Sequence, residues 1–261
     1  MSDRDISIQL QEQVKAAAAT ATPLCIGAGD SKAFYGRAPV GERIDLAAHR
    51  GILSYEPTEL VLTARAGTPL RDIEQTLADN NQMLAFEPPH FGATATLGGT
   101  IACNLSGPRR PYTGAARDFV LGTRIINGKG EILRFGGEVM KNVAGYDVSR
   151  LMTGAFGTLG VLLDISLKVL PRPETELTLA QRTSAQQALD RMHTLSRLPL
   201  PVSASLYDGD TLFVRLSGTA RGVDAARDRV GGDEIAQGGE LWSQAKEHRH
   251  SFFAPQLPLW R

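Results

Sequence analysis

The chain has 261 residues, enough for one domain of average size and part of a second. Hydrophobic residues make up 42% of it and charged residues 21%, and Lys plus Arg equals Asp plus Glu at 28 each. This balance gives no reason to expect a nucleic acid or an acidic membrane as partner. No apolar stretch approaches a bilayer span, and the polar, acidic N-terminus argues against a signal peptide. Because Cys25 and Cys103 form no C-x-x-C pair, we expect neither disulfides nor a zinc or cluster site, and we predict a cytoplasmic protein.

The first half of the chain alternates short strands and helices. A surface helix is predicted over residues 4–19, with Ile6, Ile8, Leu10 and Val14 as its apolar positions. Strands are predicted at 23–27, 42–46 and 60–65. A helix follows to about residue 80, and the sequence predicts Thr68 as its cap and Pro69 as its first helical residue.

Turn signals then fix the next elements. A short helix is predicted over 97–104, behind a Thr-Leu-Gly-Gly entry. Residues 119–127 and 131–135 form a predicted hairpin around Asn-Gly-Lys-Gly, and 161–170 form a long strand. That strand stops at Pro171-Arg-Pro173, which we interpret as a domain boundary.

After this boundary the pattern is that of a plain α+β unit. Strands are predicted at 177–180, 202–207 and 212–216, with helices at 185–196 and from 221. The final apolar run, 251–261, resembles the start of a strand without a partner, so we expect the sequence to stop inside the second domain.

Two glycine-rich stretches, 86–107 and 141–160, are the most informative feature. Glycine is used where the backbone takes positive φ or comes close to another body. For either stretch alone, an ordinary loop is as good an interpretation as a ligand-binding segment. Together they indicate backbone wrapped around a long ligand, with N–H groups directed at it, as a dinucleotide diphosphate requires.

A third segment, residues 27–32 (Gly-Ala-Gly-Asp-Ser-Lys), follows the strand at 23–27. A strand that ends in Gly-x-Gly can align consecutive N–H groups into an anion-binding concavity, although a surface turn is an equal alternative. The segment matches neither the Rossmann nor the Walker pattern. Asp30 would repel a diphosphate unless it points away, whereas Lys32 and Arg37 would supply compensating charge.

Four motifs in order resemble the flavoproteins of the vanillyl-alcohol oxidase and p-cresol methylhydroxylase type. They lie at 27–32, 57–70, 96–107 and 154–161, and the resemblance covers about residues 20–175. It implies an α+β fold in which residues 1–172 form a two-subdomain FAD-binding domain, split near residue 67. Part of an α+β cap domain would follow over 173–261.

The resemblance also implies the FAD contacts. Gly27, Ala28, Gly29, Asp30, Ser31 and Lys32 would hold the diphosphate, mainly through backbone N–H groups. The second wall of the FAD channel would be shaped by Pro88, Thr96, Gly98, Gly99, Asn104 and Gly107, and the remaining contacts would come from Gly145, Gly160 and Val161. Because the 27–32 segment has no His and Cys103 occupies a variable position of the family, we expect noncovalent FAD.

No catalytic residue can be assigned from the sequence. His90, in a Pro-Pro-His-Phe-Gly loop, is a candidate acid–base group, whereas His49 reads as a surface residue. His248 and His250 would either bring a cation to a carboxylate substrate or lie on a solvated helix face. We expect positions on the solvated surface for Arg109, Arg110 and Lys141. The alternative is that they contact phosphate or a partner subunit.

Within the family, the resemblance is to FAD-binding subunits of bacterial glycolate oxidases. It implies a part in oxidising glycolate, a small 2-hydroxy acid, to glyoxylate. Electrons would pass to partners, which would be a larger flavoprotein subunit and an iron–sulfur subunit, with peripheral membrane association through them. A stand-alone FAD-dependent oxidoreductase and a non-catalytic FAD-fold scaffold remain as alternatives.

Overall fold

The computed structural model describes residues 3–137 and 145–253. The chain divides into two compact units, each built from separate stretches of sequence. The first unit comprises residues 1–105 and 115–171, and the second comprises 106–114 and 172–261.

The elements up to residue 137 follow the order α1, β1–β4, α2, β5, α3–α5, β6 and β7. Their bounds are α1 Ser7–Thr20, β1 Leu24–Gly27, β2 Glu42–Asp45, β3 Ile52–Glu56, β4 Val61–Arg65, α2 Leu70–Ala78, β5 Gln82–Met83, α3 Leu97–Cys103, α4 Arg110–Thr113, α5 Ala116–Phe119, β6 Val120–Ile126 and β7 Ile132–Gly136.

From residue 145 onward the chain adds four helices and six strands among the described residues, followed by a short 3-10 turn. Their bounds are α6 Val148–Met152, β8 Val161–Lys168, β9 Leu170–Pro171, β10 Thr175–Arg182, α7 Ala185–Ser196, β11 Val202–Tyr207, β12 Thr211–Gly218, α8 Ala220–Val230, β13 Asp233–Glu234, α9 Gly238–Lys246 and the 3-10 turn Ser251–Phe253. The predicted C-terminal strand falls largely on 254–261, outside the described residues.

The first unit contains a parallel pair, β1–β2, and a five-stranded antiparallel sheet in the order β3-β4-β8-β6-β7. One face of the larger sheet packs on α3, and its core includes fully buried Leu62, Leu163 and Ile165. A smaller pair, β5–β9, completes the unit. This mixed architecture agrees with the predicted α+β FAD-binding fold.

Helix α2 shows why the apolar pattern predicts it. Leu70, Ile73 and Leu77 lie on one face and are fully buried. The predicted cap is wrong, because Pro69 occupies the N-cap position. Thr68 is instead buried, and its hydroxyl accepts a hydrogen bond from the N–H of Gly51 at 3.0 Å.

In α1 the buried face consists of Leu10, Val14 and Ala17, spaced as one side of a helix requires. Ile8 was predicted to be one of the apolar positions, but it is 65% exposed. Two residues before Leu10, it is rotated about 200° around the helix, so it faces away from the unit.

The other face of the five-stranded sheet is polar and buried. The hydroxyls of Thr63 and Ser166 lie 2.8 Å apart across β4 and β8. Nearby, Arg124 Nε on β6 lies 2.5 Å from Asp164 Oδ2 on β8. These contacts place groups of complementary polarity opposite each other within the layer.

His49 joins this polar layer, so its prediction as a surface residue is wrong. The side chain is fully buried, and its Nδ1 accepts a hydrogen bond from the N–H of Ile6 at 3.2 Å. Its Nε2 lies 3.4 Å from Asp164 Oδ1, and Nδ1 lies 3.6 Å from Asp5 Oδ1. His49 thereby ties the N-terminal segment to the sheet.

In the second unit a four-stranded antiparallel sheet, in the order β11-β12-β10-β13, carries helices on both faces. Its main core lies under α7 and α8 and includes Leu179, Val214 and Val223. On another side, Trp242 of α9 donates a hydrogen bond to Thr178 on β10 at 2.9 Å.

The segment 106–114 belongs to this second unit. Arg109 is only 5% exposed, and its guanidinium donates to the carboxylate of Glu176 on β10. The default reading of Arg109 as solvated surface is therefore wrong, whereas Arg110 is exposed. Lys141 lies outside the described residues.

Across residues 3–137 and 145–253, no helix is both long enough and apolar enough to cross a bilayer.

Candidate functional site

The loop after β1 presents a run of backbone donors. Asp30 lies in the left-handed region at φ 52°, and the N–H of Ala33 donates to its carbonyl at 3.0 Å, which closes a tight turn. Within the described ranges, the N–H groups of Ala28, Gly29, Asp30 and Ser31 donate no hydrogen bond. Consecutive unused N–H groups beside such a turn form an anion-binding concavity.

Lys32 places a positive charge at the end of this loop. The side chain is buried, and its Nζ donates to the carbonyl of His90 at 3.3 Å and to the hydroxyl of Ser31 at 3.4 Å. It also lies 6.0 Å from the ring centroid of Phe91. Lys32 therefore links the 27–32 loop to the 87–92 loop and adds charge of the sign that an anion needs.

The carboxylate of Asp30 is engaged by an arginine that the sequence analysis did not single out. Its Oδ2 lies 2.8 Å from Arg43 on β2, and the same arginine donates to the carbonyl of Ala28 at 3.3 Å. Both side chains are about half exposed. The ion pair with Asp30 raises the pKa of the Arg43 guanidinium, and burial lowers it by a smaller amount.

The 87–92 loop is held through both the side chain and the backbone carbonyl of His90. His90 Nε2 lies 2.9 Å from Oε2 of Glu74 on α2, and the His90 carbonyl accepts from Lys32. Glu87 and Phe91 take positive φ values of 49° and 52°, a conformation that costs side-chain-bearing residues about 1–2 kcal/mol each. A strained loop that is clamped in this way is typical of functional sites.

Close approach of two loops explains Gly29. An ideal β-carbon at this position would lie 1.6 Å from the carbonyl oxygen of Thr94, so no other residue fits without moving the backbone. The Thr94 hydroxyl also donates to the Gly29 carbonyl. The 27–32 loop and the 92–96 loop are therefore in direct contact.

Helix α3 uses its first donors within the protein. Thr96 is the N-cap and accepts from Gly99 at 3.3 Å, and Gly98 donates to the carbonyl of Ala66 at 2.7 Å. Gly98 thus packs against the end of β4. At the other end of α3, Asn104 takes φ 53° and its side chain accepts from the N–H of Arg117.

Cys103 occupies the last turn of α3. Burial raises the pKa of its thiol, and the charge of Lys32 offsets part of this rise.

Aromatic side chains border the same loops. Phe34 meets Phe91 edge to face with ring centroids 5.1 Å apart, and Tyr35 meets Phe156 at 5.4 Å. Phe156 also takes a positive φ of 52°. Phe91 is half-buried, whereas the other three side chains are exposed.

The remaining predicted FAD contacts lie on other elements of the chain. Pro88 is buried in the 87–92 loop, whereas Gly107 belongs to the segment of the second unit. Gly160 approaches the carbonyl of Ile126, and the side chain of Val161 is buried in the core at the start of β8. Gly145 has open space around it within the described residues.

A dinucleotide diphosphate fits the donors that are present. Its two negative charges require N–H donors and a cation. The unused N–H groups of 28–31 immediately precede Lys32, whose ammonium contacts the hydroxyl of Ser31. His90 and Glu74 form a carboxylate-oriented imidazole next to this cradle. The sequence singled out Lys32 and His90, but it gave no sign of Arg43 or Glu74.

Comparison with known proteins gives consistent results. The sequence profile of a family described as an FAD binding domain matches residues 7–136. Glycolate oxidase subunit GlcE of Escherichia coli K12 is 53% identical over 257 residues, which are 98% of this chain and 73% of that protein.

More distant relatives match a smaller part. Glycolate oxidase subunit GlcD of Bacillus subtilis is 35% identical over 62% of this chain and 35% of its own length. D-lactate dehydrogenase of Anaerostipes hadrus is 34% identical over 53% of this chain and 29% of its own length. The chain thus spans about a third of these two proteins.

Among solved structures, alkyldihydroxyacetonephosphate synthase superposes with a TM-score of 0.69 over 85% of this chain and 48% of that chain. At 17% sequence identity this likeness concerns the fold alone.

Proposed function

Since this chain belongs to the family of FAD-binding proteins that includes glycolate oxidase subunit GlcE, we propose that it is the FAD-binding subunit of a 2-hydroxy-acid oxidase complex. The reaction would convert glycolate, or a similar acid, into the corresponding 2-oxo acid. The names of the relatives, two glycolate oxidase subunits and a D-lactate dehydrogenase, support this substrate class.

The observation that carries the proposal is the cradle at 28–31. Its unused N–H groups and the ammonium of Lys32 would hold the diphosphate of FAD. Contacts from Gly27, Pro88, Thr96, Gly98, Gly99, Asn104, Gly107, Gly145, Gly160 and Val161 are proposed from the family resemblance. We expect the FAD to be noncovalent, since no histidine occurs in 27–32 and burial raises the pKa of the Cys103 thiol.

When bound, the flavin supplies the acceptor for the two electrons that leave the alcohol carbon. The chain itself contributes position and charge. Lys32 keeps the two loops together, and Glu74 orients the imidazole of His90 so that it is able to hold or move a proton at Nδ1 or Nε2.

We propose that this subunit works with partners. The relatives of this chain include two differently named subunits of glycolate oxidases. A larger flavoprotein subunit and an iron–sulfur subunit would take part, and they would carry electrons onward and provide any contact with a membrane. A cytoplasmic location is supported by the two cysteines, which are unpaired in the described residues.

The test starts from the full-length chain purified from its host. Its absorbance should show a flavin band, and acid precipitation should release FAD into the supernatant for identification by mass. Colour that stays in the pellet would contradict noncovalent binding, and absence of flavin would contradict the proposed function.

The share of this subunit in catalysis needs a second measurement. Under anaerobic conditions, glycolate should bleach the flavin of the complete complex. We expect the isolated chain to stay far below the rate of about 10 s⁻¹ of a typical enzyme. Rapid bleaching by the isolated chain would identify it as a complete dehydrogenase instead.

A further inference from the structure

An acidic residue in the middle of an anion-binding loop requires an explanation. Asp30 is flanked by the donors of the cradle, and its backbone N–H is one of them. An uncompensated carboxylate at this position would repel the diphosphate of FAD, because like charges repel each other over several ångströms. The same side chain is nevertheless half exposed and directed at a specific partner, Arg43.

We infer that Arg43 is a positioning residue for the diphosphate: it neutralises Asp30 and holds the loop so that the N–H groups of 28–31 are available to the ligand. This inference rests on the proposed function. Arg43 approaches the loop from β2, where it donates to the Ala28 carbonyl at 3.3 Å and pairs with Asp30 at 2.8 Å.

The geometry of β1 and β2 supports this role. The two strands run parallel with Cys25 opposite Arg43, so Arg43 starts two residues before the end of β1 and its long side chain reaches toward Gly27. An ideal β-carbon on Gly27 would lie 2.8 Å from a guanidinium nitrogen of Arg43. The guanidinium therefore lies directly over the start of the loop, where a carbonyl and a carboxylate accept from one of its nitrogens.

Arg43 and Lys32 therefore have different tasks. The charge of Arg43 is matched by Asp30, so the pair adds little net charge to the cradle. The ammonium of Lys32, held by Ser31 and the His90 carbonyl, supplies the attraction to the diphosphate. Loss of Arg43 would leave the charge of Asp30 facing the ligand, whereas loss of Lys32 would remove the attraction itself.

A double-mutant cycle tests this assignment. FAD is titrated into the flavin-free forms of wild type, R43A, D30N and R43A/D30N, and the unfolding midpoint of each is measured without FAD. We expect R43A to bind FAD about tenfold more weakly, the scale of one charged contact. D30N in the R43A background should restore affinity to within about threefold of wild type. R182A, which removes an arginine exposed in the second unit, should change nothing.

Salt provides a readout that a purely structural role would not change. Because repulsion between Asp30 and the diphosphate is screened by ions, the gap in affinity between R43A and wild type should narrow as ionic strength rises. D30N should restore less FAD affinity to K32A than to R43A. K32A removes the positive charge that attracts the diphosphate, whereas R43A removes the charge that neutralises Asp30.

The outcomes separate the two proposals. Equal FAD affinity of R43A and wild type, or a double variant as weak as R43A, would overturn the role of Arg43 and leave FAD binding intact. A wild-type chain that takes up no FAD would overturn both the proposed function and this inference.

Discussion

The carbonyl oxygen of Thr94 lies where a β-carbon of residue 29 would have to be, 1.6 Å from its ideal position. Gly29 is therefore required by the protein itself, before any ligand is considered. Two loops that are far apart in sequence meet at this glycine, and the contact fixes one side of the anion cradle.

We predict that G29A destabilises the flavin-free chain by about 1–3 kcal/mol, because the added methyl group forces the two loops apart. G128A is the matched control, since a β-carbon there meets nothing within 4 Å in the described structure. Chemical unfolding of both variants without FAD measures the difference. Equal stability of the two variants would contradict the close contact.

The buried His49 leads to a second prediction. H49A removes the acceptor for the Ile6 N–H and leaves Asp164 without one of its neighbours, so we expect a loss of about 2–3 kcal/mol in the free energy of unfolding. H193A, at an exposed position on α7, should cost less than about 0.5 kcal/mol. A wild-type-like unfolding curve for H49A would show that the polar layer does not depend on this ring.

Acid should weaken the second unit through Glu176. Burial alone would raise the pKa of this carboxyl, but the hydrogen bond from Ser217 and the charges of Arg215 and Arg109 outweigh it and lower the pKa. A carboxyl with a lowered pKa in the folded state stabilises the fold above its unfolded pKa, and this contribution is lost as pH falls through the folded value.

We therefore expect the free energy of unfolding to decline below the ordinary glutamate pKa of 4.5, and E176Q to show a smaller decline. Unfolding curves between pH 7 and pH 3 measure this slope. E240Q, at an exposed position on α9, is the control that should keep the wild-type slope. An E176Q slope equal to that of wild type would contradict the assignment.

Cys103 reports on the charge of Lys32. Since burial raises the pKa of the thiol and Lys32 opposes the rise, K32M should raise that pKa further. In a C25S background without FAD, the midpoint of the pH–rate profile for alkylation should move to higher pH, because only the thiolate reacts. A midpoint unchanged by K32M would place the ammonium away from the thiol.

Elements specified by local signals were predictable. The hairpin of β6 and β7 follows from its turn, in which the Asn127 side chain accepts from the N–H groups of Lys129 and Glu131, and Gly130 takes φ 76°. Helix α3 follows from its threonine cap. The family, the FAD-binding fold and the cofactor were also predicted from motifs, which the comparisons confirm.

Features that depend on distant partners were not predictable. Strand β3, Ile52–Glu56, was not predicted; it forms at the edge of the sheet by pairing with β4 through a register shift. His49 reads as a surface residue until Asp5 and Asp164 are brought to it by the sheet. The partners of Arg43 and Glu74 likewise cannot be identified from the sequence. Strand pairing brings Arg43 to Asp30, and helix packing brings Glu74 to His90.

The segment 106–114 has a consequence for how this chain can change during evolution. Because the second unit is assembled from this segment and from residues after 171, the chain passes between the units at 105/106, 114/115 and 171/172. Deleting all residues after 171 would leave Arg109 without its partner Glu176. It would also remove the hydrophobic core against which Tyr112 packs. A unit interlaced in this way is not removed intact by one cut in the chain, so loss of the second unit requires changes at more than one point of the sequence.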